Sequence, residues 1–282
     1  DLVRSRGLGD VYKRQGVFCL KKDRFQDVVW IGTDGQGVYL YSNPLYSIKS
    51  MVLSNYTEKI ERPVRAIYLD DERTFWVGTK GNGILKIYDY EFDKNISDCR
   101  AEVLTTSNSA LSSNAVYCFA KSHRNLLWIG DEEGLTYYSY REKRIKSIPI
   151  RIGNEDFKYI HDIYETADSE LWLASVGMGV VKARIAGTPD NPVIVDAQRY
   201  IINDGELGSN YFFTIYAENE ANLLFGNKGY GVFRYNETTN GLEPVSTHKY
   251  ENMTLNNILA ISKDSSNNYL FGTSYGLSLI HI

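Results

Sequence analysis

Cysteine, histidine and long apolar runs are scarce in this chain of 282 residues, and each scarcity excludes something. The three cysteines, Cys19, Cys99 and Cys118, show no C-x-x-C or other metal-ligand spacing, so neither a metal nor a cofactor is expected. No apolar stretch approaches the roughly 18 residues that a membrane-spanning helix needs. No Lys/Arg-rich run occurs and the net charge is −4, which argues against a nucleic-acid or anionic-membrane surface on these residues. What is abundant is tyrosine, with 22 copies.

The two ends are related in an unusual way. Asp10-Val11-Tyr12-Lys13-Arg14-Gln15 can be encoded by GAT GTG TAT AAG AGA CAG, and Leu277-Ser278-Leu279-Ile280-His281-Ile282 by CTG TCT CTT ATA CAC ATC. These strings are reverse complements, and both look like a translated transposon end of the kind used in sequencing libraries. Residues 1–15 and 277–282 are therefore expected to be adapter-derived and are set aside for fold reasoning. Without them 27 basic residues face 33 acidic ones, a mild acidity. The parent chain is then expected to continue past both ends.

Within 16–276 one unit recurs. Val29-Trp30-Ile31-Gly32-Thr33, Phe75-Trp76-Val77-Gly78-Thr79, Leu127-Trp128-Ile129-Gly130-Asp131 and Leu171-Trp172-Leu173-Ala174-Ser175 align, followed by two weaker copies around Gly226 and Gly272. All four tryptophans (Trp30, Trp76, Trp128, Trp172) share one column, and the anchors are 46, 52, 44, 52 and 46 residues apart. A period of roughly 40–50 residues built from short strands is the range of propeller blades. About twelve residues before each anchor lies an apolar run with a small third residue, such as Val17-Phe18-Cys19-Leu20 or Ile258-Leu259-Ala260-Ile261. Such runs, apolar on both faces, suit a strand sandwiched between neighbouring sheets near an axis. After the anchor comes a glycine hairpin, for example Lys80-Gly81-Asn82-Gly83 or Lys228-Gly229-Tyr230-Gly231. None of these G-x-G triplets has the third glycine or the helix of a phosphate cradle, so they read as turns. The tryptophans read as packing between blades, and Trp→Ala should cost roughly 3–5 kcal/mol. The expected fold is an all-β propeller of four-stranded antiparallel blades, with five full blades and part of a sixth. Such a piece should form an open arc with apolar cut faces, prone to aggregate.

The stretch Asn108-Ser109-Ala110-Leu111-Ser112-Ser113-Asn114-Ala115-Val116, followed by Leu127-Trp128-Ile129-Gly130-Asp131, resembles the two-component-regulator propeller repeat. Leu255-Asn256-Asn257-Ile258 repeats part of it in the sixth copy. The resemblance covers 16–276; it departs in spreading the usual Gly-Gly pair to Gly-x-Gly and in losing Trp from the last two copies. It implies a periplasmic ligand-sensing segment of a hybrid two-component histidine kinase of Bacteroidota, anchored in the inner membrane. It also implies a seven-bladed parent with a second propeller, an oligosaccharide ligand, control of polysaccharide-utilisation genes, and a homodimer as one assembly. The kinase motifs are not in these residues. A secretion or cell-surface interaction propeller is the main alternative, and a propeller lyase or glycosidase a weaker one.

In a propeller the loop into the innermost strand and the hairpin between the second and third strands share one rim. Those loops offer Arg62, Arg65, Lys158, Tyr159, His161, Asn210, Tyr211, Lys228, Tyr230 and Tyr275. Aromatic faces stack on the apolar face of a pyranose, while cations and amides bond its hydroxyls or carboxylates. Asp162 stands in the small-residue column, where a carboxylate needs a partner or water; it is expected either to face a solvated channel or to join a ligand site. A catalytic site would need paired carboxylates or histidines on this rim. Only His161 is placed for that: His123 falls in a turn at the opposite rim, His248 on an outer strand and His281 in the last six residues.

Overall fold

The computed structural model describes residues 17–23, 28–33, 38–42, 49–51, 62–90, 99–202, 210–245, 257–264, 268–274 and 276–280. Asp34–Gly37 of the first hairpin, Tyr275, His248, His281, Leu255, Asn256 and 1–15 lie outside them. Alternating apolar runs and turns produce antiparallel sheets throughout. Blade 1 comprises Val17–Lys22, Val28–Thr33, Val38–Ser42 and Lys49–Met51, and blade 2 Val64–Leu69, Phe75–Thr79, Ile84–Ile87 and Ala101–Leu104. Blade 3 comprises Val116–Lys121, Leu126–Asp131, Leu135–Ser139 and Arg144–Ile148; blade 4 comprises Ile160–Glu165, Glu170–Ser175, Gly179–Thr188 and Asn191–Tyr200. Blade 5 comprises Phe212–Asn219, Asn222–Asn227, Gly231–Asn236 and Gly241–Pro244. A sixth sheet holds three strands, Ile258–Lys263, Tyr269–Thr273 and Gly276–Ile280.

The first strand of each blade is the inner one, and each packs against the inner strand of the next blade. The sixth packs on the first, as the first does on the second. The expected open arc is therefore not what this chain forms. Wedge-shaped sheets with apolar faces bury more surface by meeting than by leaving two faces wet.

Tryptophan and glycine make the seams. Trp30, Trp76, Trp128 and Trp172 are all at most 3% exposed. Trp30 meets Phe75 of blade 2 at 4.9 Å, Trp76 meets Tyr138 of blade 3 at 4.9 Å, and Trp172 meets Tyr235 of blade 5 at 4.6 Å. The packing reading of the column holds, and hydrogen bonds add to it. The indole N–H of Trp30 donates to Asp23 at 3.0 Å, that of Trp76 to Asp70 at 2.9 Å, and that of Trp128 to Glu165 of blade 4 at 2.7 Å. A buried indole N–H left without an acceptor would cost about 1–3 kcal/mol.

Glycine at 32, 78, 130, 226 and 272 pairs directly with the small third residue of the inner strand. At Gly130 an added Cβ would lie 2.5 Å from the Cys118 thiol and 2.6 Å from the Ile160 carbonyl oxygen of blade 4. Small third residues therefore answer to this close seam. Blade 4 is the variant, pairing Ala174 with Asp162.

Candidate functional site

Every inner strand carries an irregularity at the same place. Its first residue pairs with the residue after the anchor and its third with the anchor itself, glycine in five blades and Ala174 in blade 4, leaving the second outside the pairing: Val17/Cys19, Val64/Ala66, Val116/Cys118, Ile160/Asp162, Phe212/Thr214 and Ile258/Ala260. This is a β-bulge, which re-aims the extra side chain. The six re-aimed residues are Phe18, Arg65, Tyr117, His161, Phe213 and Leu259, and together they line the axial channel, a cavity of about 220 Å3.

These side chains form a collar. The His161 ring stacks on Tyr117 at 4.2 Å and 14°, and meets Phe213 edge-on at 5.2 Å. The Arg65 guanidinium lies 3.5 Å over the Phe18 ring. Burial, with the positive Arg65 and Lys80 adding to it, pushes the His161 pKa down to about 3, so the imidazole stays neutral at physiological pH. Burial also raises the Tyr117 phenol, helped by Glu132.

The rim above the collar is built as the sequence implied. The Lys80 amide donates to Pro63 in its own blade, while Gly81 and Gly83 donate to Asn114 ahead of the next inner strand, all at 2.9 Å. Val176 and Tyr159, Gly177 and Asn210, and Lys228 and Tyr211 repeat these links. Beneath the rim runs a ring of buried polar residues, Thr33, Thr79, Asp131, Ser175, Asn227 and Thr273. Thr79 donates to the Gly83 carbonyl across its hairpin, and Ser175 to the Lys158 carbonyl in the loop that enters its own blade.

Of the described residues expected at this face, Arg65 and His161 join the collar and Asp162 lies beside them, while Arg62, Lys158, Tyr159, Asn210, Tyr211, Lys228 and Tyr230 lie in the loops and hairpins around it. Tyr159 is 42% and Tyr230 38% exposed. Tyr211 is half-buried with the Lys228 ammonium 5.4 Å from its ring centre. Lys158 pairs with Glu133 at 2.6 Å, and the exposed Arg62 donates its amide to Asn82 at 3.0 Å. Asp162 lines the channel but its carboxylate serves the seam. One oxygen accepts from the Ile215 amide at 2.7 Å and the Thr214 hydroxyl at 3.0 Å, both in blade 5; the other accepts from its own Ile163 amide at 2.9 Å. Burial raises its pKa, partly offset by Lys21.

Phe18, Tyr117, Phe213 and Leu259 were missed as site residues because an apolar second place reads as core. The signal that could have found them is the absence of alternation itself, since consecutive apolar residues on a half-solvated axis imply a bulge. The opposite end of the channel opens into a cavity of about 630 Å3 beside Lys21, Lys121, His123 and Glu165. His123 does lie at that far rim, with its amide on Glu165. Among the described residues no group of His, Cys, Asp and Glu is arranged to hold a metal ion, and no helix is long and apolar enough to cross a membrane.

No family model matches the chain. The same fold occurs in the extracellular domains of the hybrid two-component systems BT3049 and BT4673 of B. thetaiotaomicron, with TM-scores of 0.66 and 0.61 at 20% and 18% identity. The likenesses cover 93% and 94% of this chain but 33% and 38% of those chains, so it spans well under half of either. The fold is shared too with PorZ, a surface component of the type-IX secretion system of Porphyromonas gingivalis (TM-score 0.54, 14% identity, 94% of this chain and 44% of that one). Streptogramin B lyase has it as well (TM-score 0.55, 10% identity, 95% of both chains). One stretch of 140 residues is 31% identical to translation initiation factor 6 of Saccharolobus solfataricus, covering 45% of this chain and 57% of that protein. A sensor, a secretion component and an enzyme share this architecture, so the site must decide between them.

Proposed function

We propose that this chain is the ligand-sensing propeller segment of a periplasmic sensor in a hybrid two-component system, and that its ligand is an oligosaccharide whose arrival controls genes for using the parent polysaccharide. The observation that carries the reading is the axial collar with its tyrosine-bearing rim. Aromatic faces and a few convergent polar groups at a concave mouth are what small polar ligands need. The likeness of the fold to extracellular sensor domains supports the sensor role. Binding is favoured over catalysis by the state of the two titratable groups side by side in blade 4. His161 is stacked and Asp162 is bonded into the seam, so neither is presented as an acid or base.

The test is thermal shift and calorimetry of the chain against neutral and acidic oligosaccharides. A saturable shift abolished by Tyr117→Ala or His161→Ala supports the reading. Silence across the whole panel, with the fold intact, removes it and favours an interaction propeller.

A further inference from the structure

We propose, resting on the carbohydrate reading above, that Tyr159 is a platform aimed by a strained backbone at the mouth of the collar. There it stacks on the second sugar ring of an oligosaccharide whose first ring enters the channel. Backbone conformation is the first observation. Tyr159 has a φ of 55°, in the left-handed region that bulky side chains rarely adopt. Among the described residues six other non-glycine residues share that sign. Arg73, Asn125 and Ser169 lie in turns between first and second strands, and Asp89, Lys143 and Asn240 in turns between third and fourth. Tight turns call for that conformation. Tyr159 instead stands in the loop entering an inner strand, on the rim.

The sequence explains the conformation but not the residue. Gly81 and Gly83 of blade 2 donate to the Asn114 carbonyl ahead of blade 3, and Gly177 and Gly179 of blade 4 to the Asn210 carbonyl ahead of blade 5. The blade 3 hairpin, Asp131-Glu132-Glu133-Gly134, has no Gly-x-Gly, and its Glu133 and Gly134 amides turn back to the Asp131 carboxylate at 2.9 and 3.0 Å. With those donors withdrawn, the link to blade 4 runs the other way. The Tyr159 amide donates to the Glu132 carbonyl at 3.0 Å, while its own carbonyl accepts from the Val176 amide at 3.1 Å. Bonds to two hairpins over-determine this backbone and hold the strain in place. Glycine or asparagine would serve such a seam with less strain. A tyrosine that is 42% exposed gains little from packing there, so the ring has another use.

Position supplies that use. Two residues on is His161, stacked on Tyr117, and Tyr159 is close enough to act on the Tyr117 phenol. The places equivalent to Tyr159 hold Pro63 in blade 2, Ala115 in blade 3, Tyr211 in blade 5 and Asn257 in blade 6. A sugar chain leaving the collar therefore finds aromatic surface over blades 4 and 5, with Tyr159 nearest the mouth. The apolar face of a pyranose and an aromatic face are matched surfaces.

Calorimetry of the chain with cellotetraose, maltotetraose, xylotetraose, mannotetraose and tetragalacturonate tests this, beside ligand-observed NMR with each monosaccharide and thermal melts of the free variants. At least one tetrasaccharide should bind. Tyr159→Gly should weaken it roughly tenfold or more and leave the affinity of its monosaccharide unchanged. The same variant should melt about 2–4 °C higher, because the strain relieved exceeds the freedom that glycine adds to the unfolded chain. Tyr159→Asn, which tolerates the left-handed region, should act in the same direction, and Tyr159→Phe, which keeps the ring, should restore the binding. Unchanged tetrasaccharide affinity in Tyr159→Gly, or an equal loss for the monosaccharide, would overturn the second-ring assignment while leaving carbohydrate sensing standing. Lower melting of both Tyr159→Gly and Tyr159→Asn would make the tyrosine a packing residue and overturn it too. Failure of every sugar to bind the unaltered chain removes both readings.

Discussion

Replacing Gly130 by alanine, and separately Gly272 by alanine, isolates the physical reason for the glycine column. Both glycines pair with the third residue of an inner strand, Cys118 and Ala260 respectively. Neither has a positive φ, so backbone strain does not distinguish them. Space does. A Cβ at 130 would meet the Cys118 sulfur at 2.5 Å, the Ile160 carbonyl at 2.6 Å and an Ile160 methyl at 2.8 Å, whereas at 272 the nearest atom is the Ala260 Cβ at 3.2 Å. Overpacking costs about 1–3 kcal/mol, and at 130 one of the crowded atoms is backbone of the next blade, which cannot rotate away. At 272 the gain of about 0.5–1 kcal/mol from removing a strand glycine offsets a mild contact.

Gly130→Ala should therefore be about 2 kcal/mol less stable than Gly272→Ala. In a domain of this size that separates their melting temperatures by about 4–8 °C. Calorimetry and urea titration measure it. Cys118→Ala in the Gly130→Ala background should recover part of the loss, since it clears the sulfur and leaves the carbonyl. Equal melting of the two alanine variants would refute the seam account, and so would complete rescue by Cys118→Ala.

Two further outcomes follow from buried polar groups. Trp128→Phe removes the 2.7 Å bond to Glu165 and should cost about 1.5–3 kcal/mol by urea titration; Glu165→Leu should cost more, because it also takes the acceptor from the His123 amide and the partner from Arg124 at 3.7 Å. His161 has its pKa lowered from 6.5 to about 3, so the unfolded chain takes up a proton below 6.5 that the folded chain refuses. Its contribution to stability is complete above pH 6.5 and is lost as pH falls towards 3. His161→Gln should flatten the fall in urea midpoint between pH 7 and pH 4, and a variant whose midpoints run parallel to the wild type would contradict this. Across the same range the wild-type His161 ring resonances should not titrate.

The blade grammar was legible because it is written redundantly. Six copies of a strand, an anchor and a hairpin reinforce one another, and an indole column leaves little doubt about which residues face a neighbouring blade. The acceptors of those indoles were legible in principle, since Asp23 and Asp70 each follow an inner strand and precede their tryptophan by seven and six residues. Glu165 was not, because it reaches Trp128 from the next blade, 37 residues on. Asp162 stood out correctly as an oddity, but its partners lie 52 and 53 residues away in blade 5, and no local pattern identifies them. Nor did period or composition announce closure of the ring, which depends on how far each sheet rotates from the last.

The collar shows how the constraint on packing also selects the position free to recognise. The first residue of the inner strands is Val, Val, Val, Ile, Phe or Ile, and is at most 1% exposed in every blade. The third is Cys, Ala, Cys, Asp, Thr or Ala, pressed against the anchor column. Between them the second runs Phe18, Arg65, Tyr117, His161, Phe213 and Leu259, with no shared size, charge or polarity. The bulge explains the contrast. With the first and third residues held by pairing to adjacent residues of the second strand, the backbone between them has nowhere to go but towards the axis. The side chain it carries faces the channel, where it meets its counterparts from the adjoining blades, as His161 meets Tyr117 and Phe213. Six copies of one packing unit thus present six independent choices at a single mouth. A change there, Arg65→Gln for one, should move binding far more than melting temperature, the reverse of what a glycine-column substitution does.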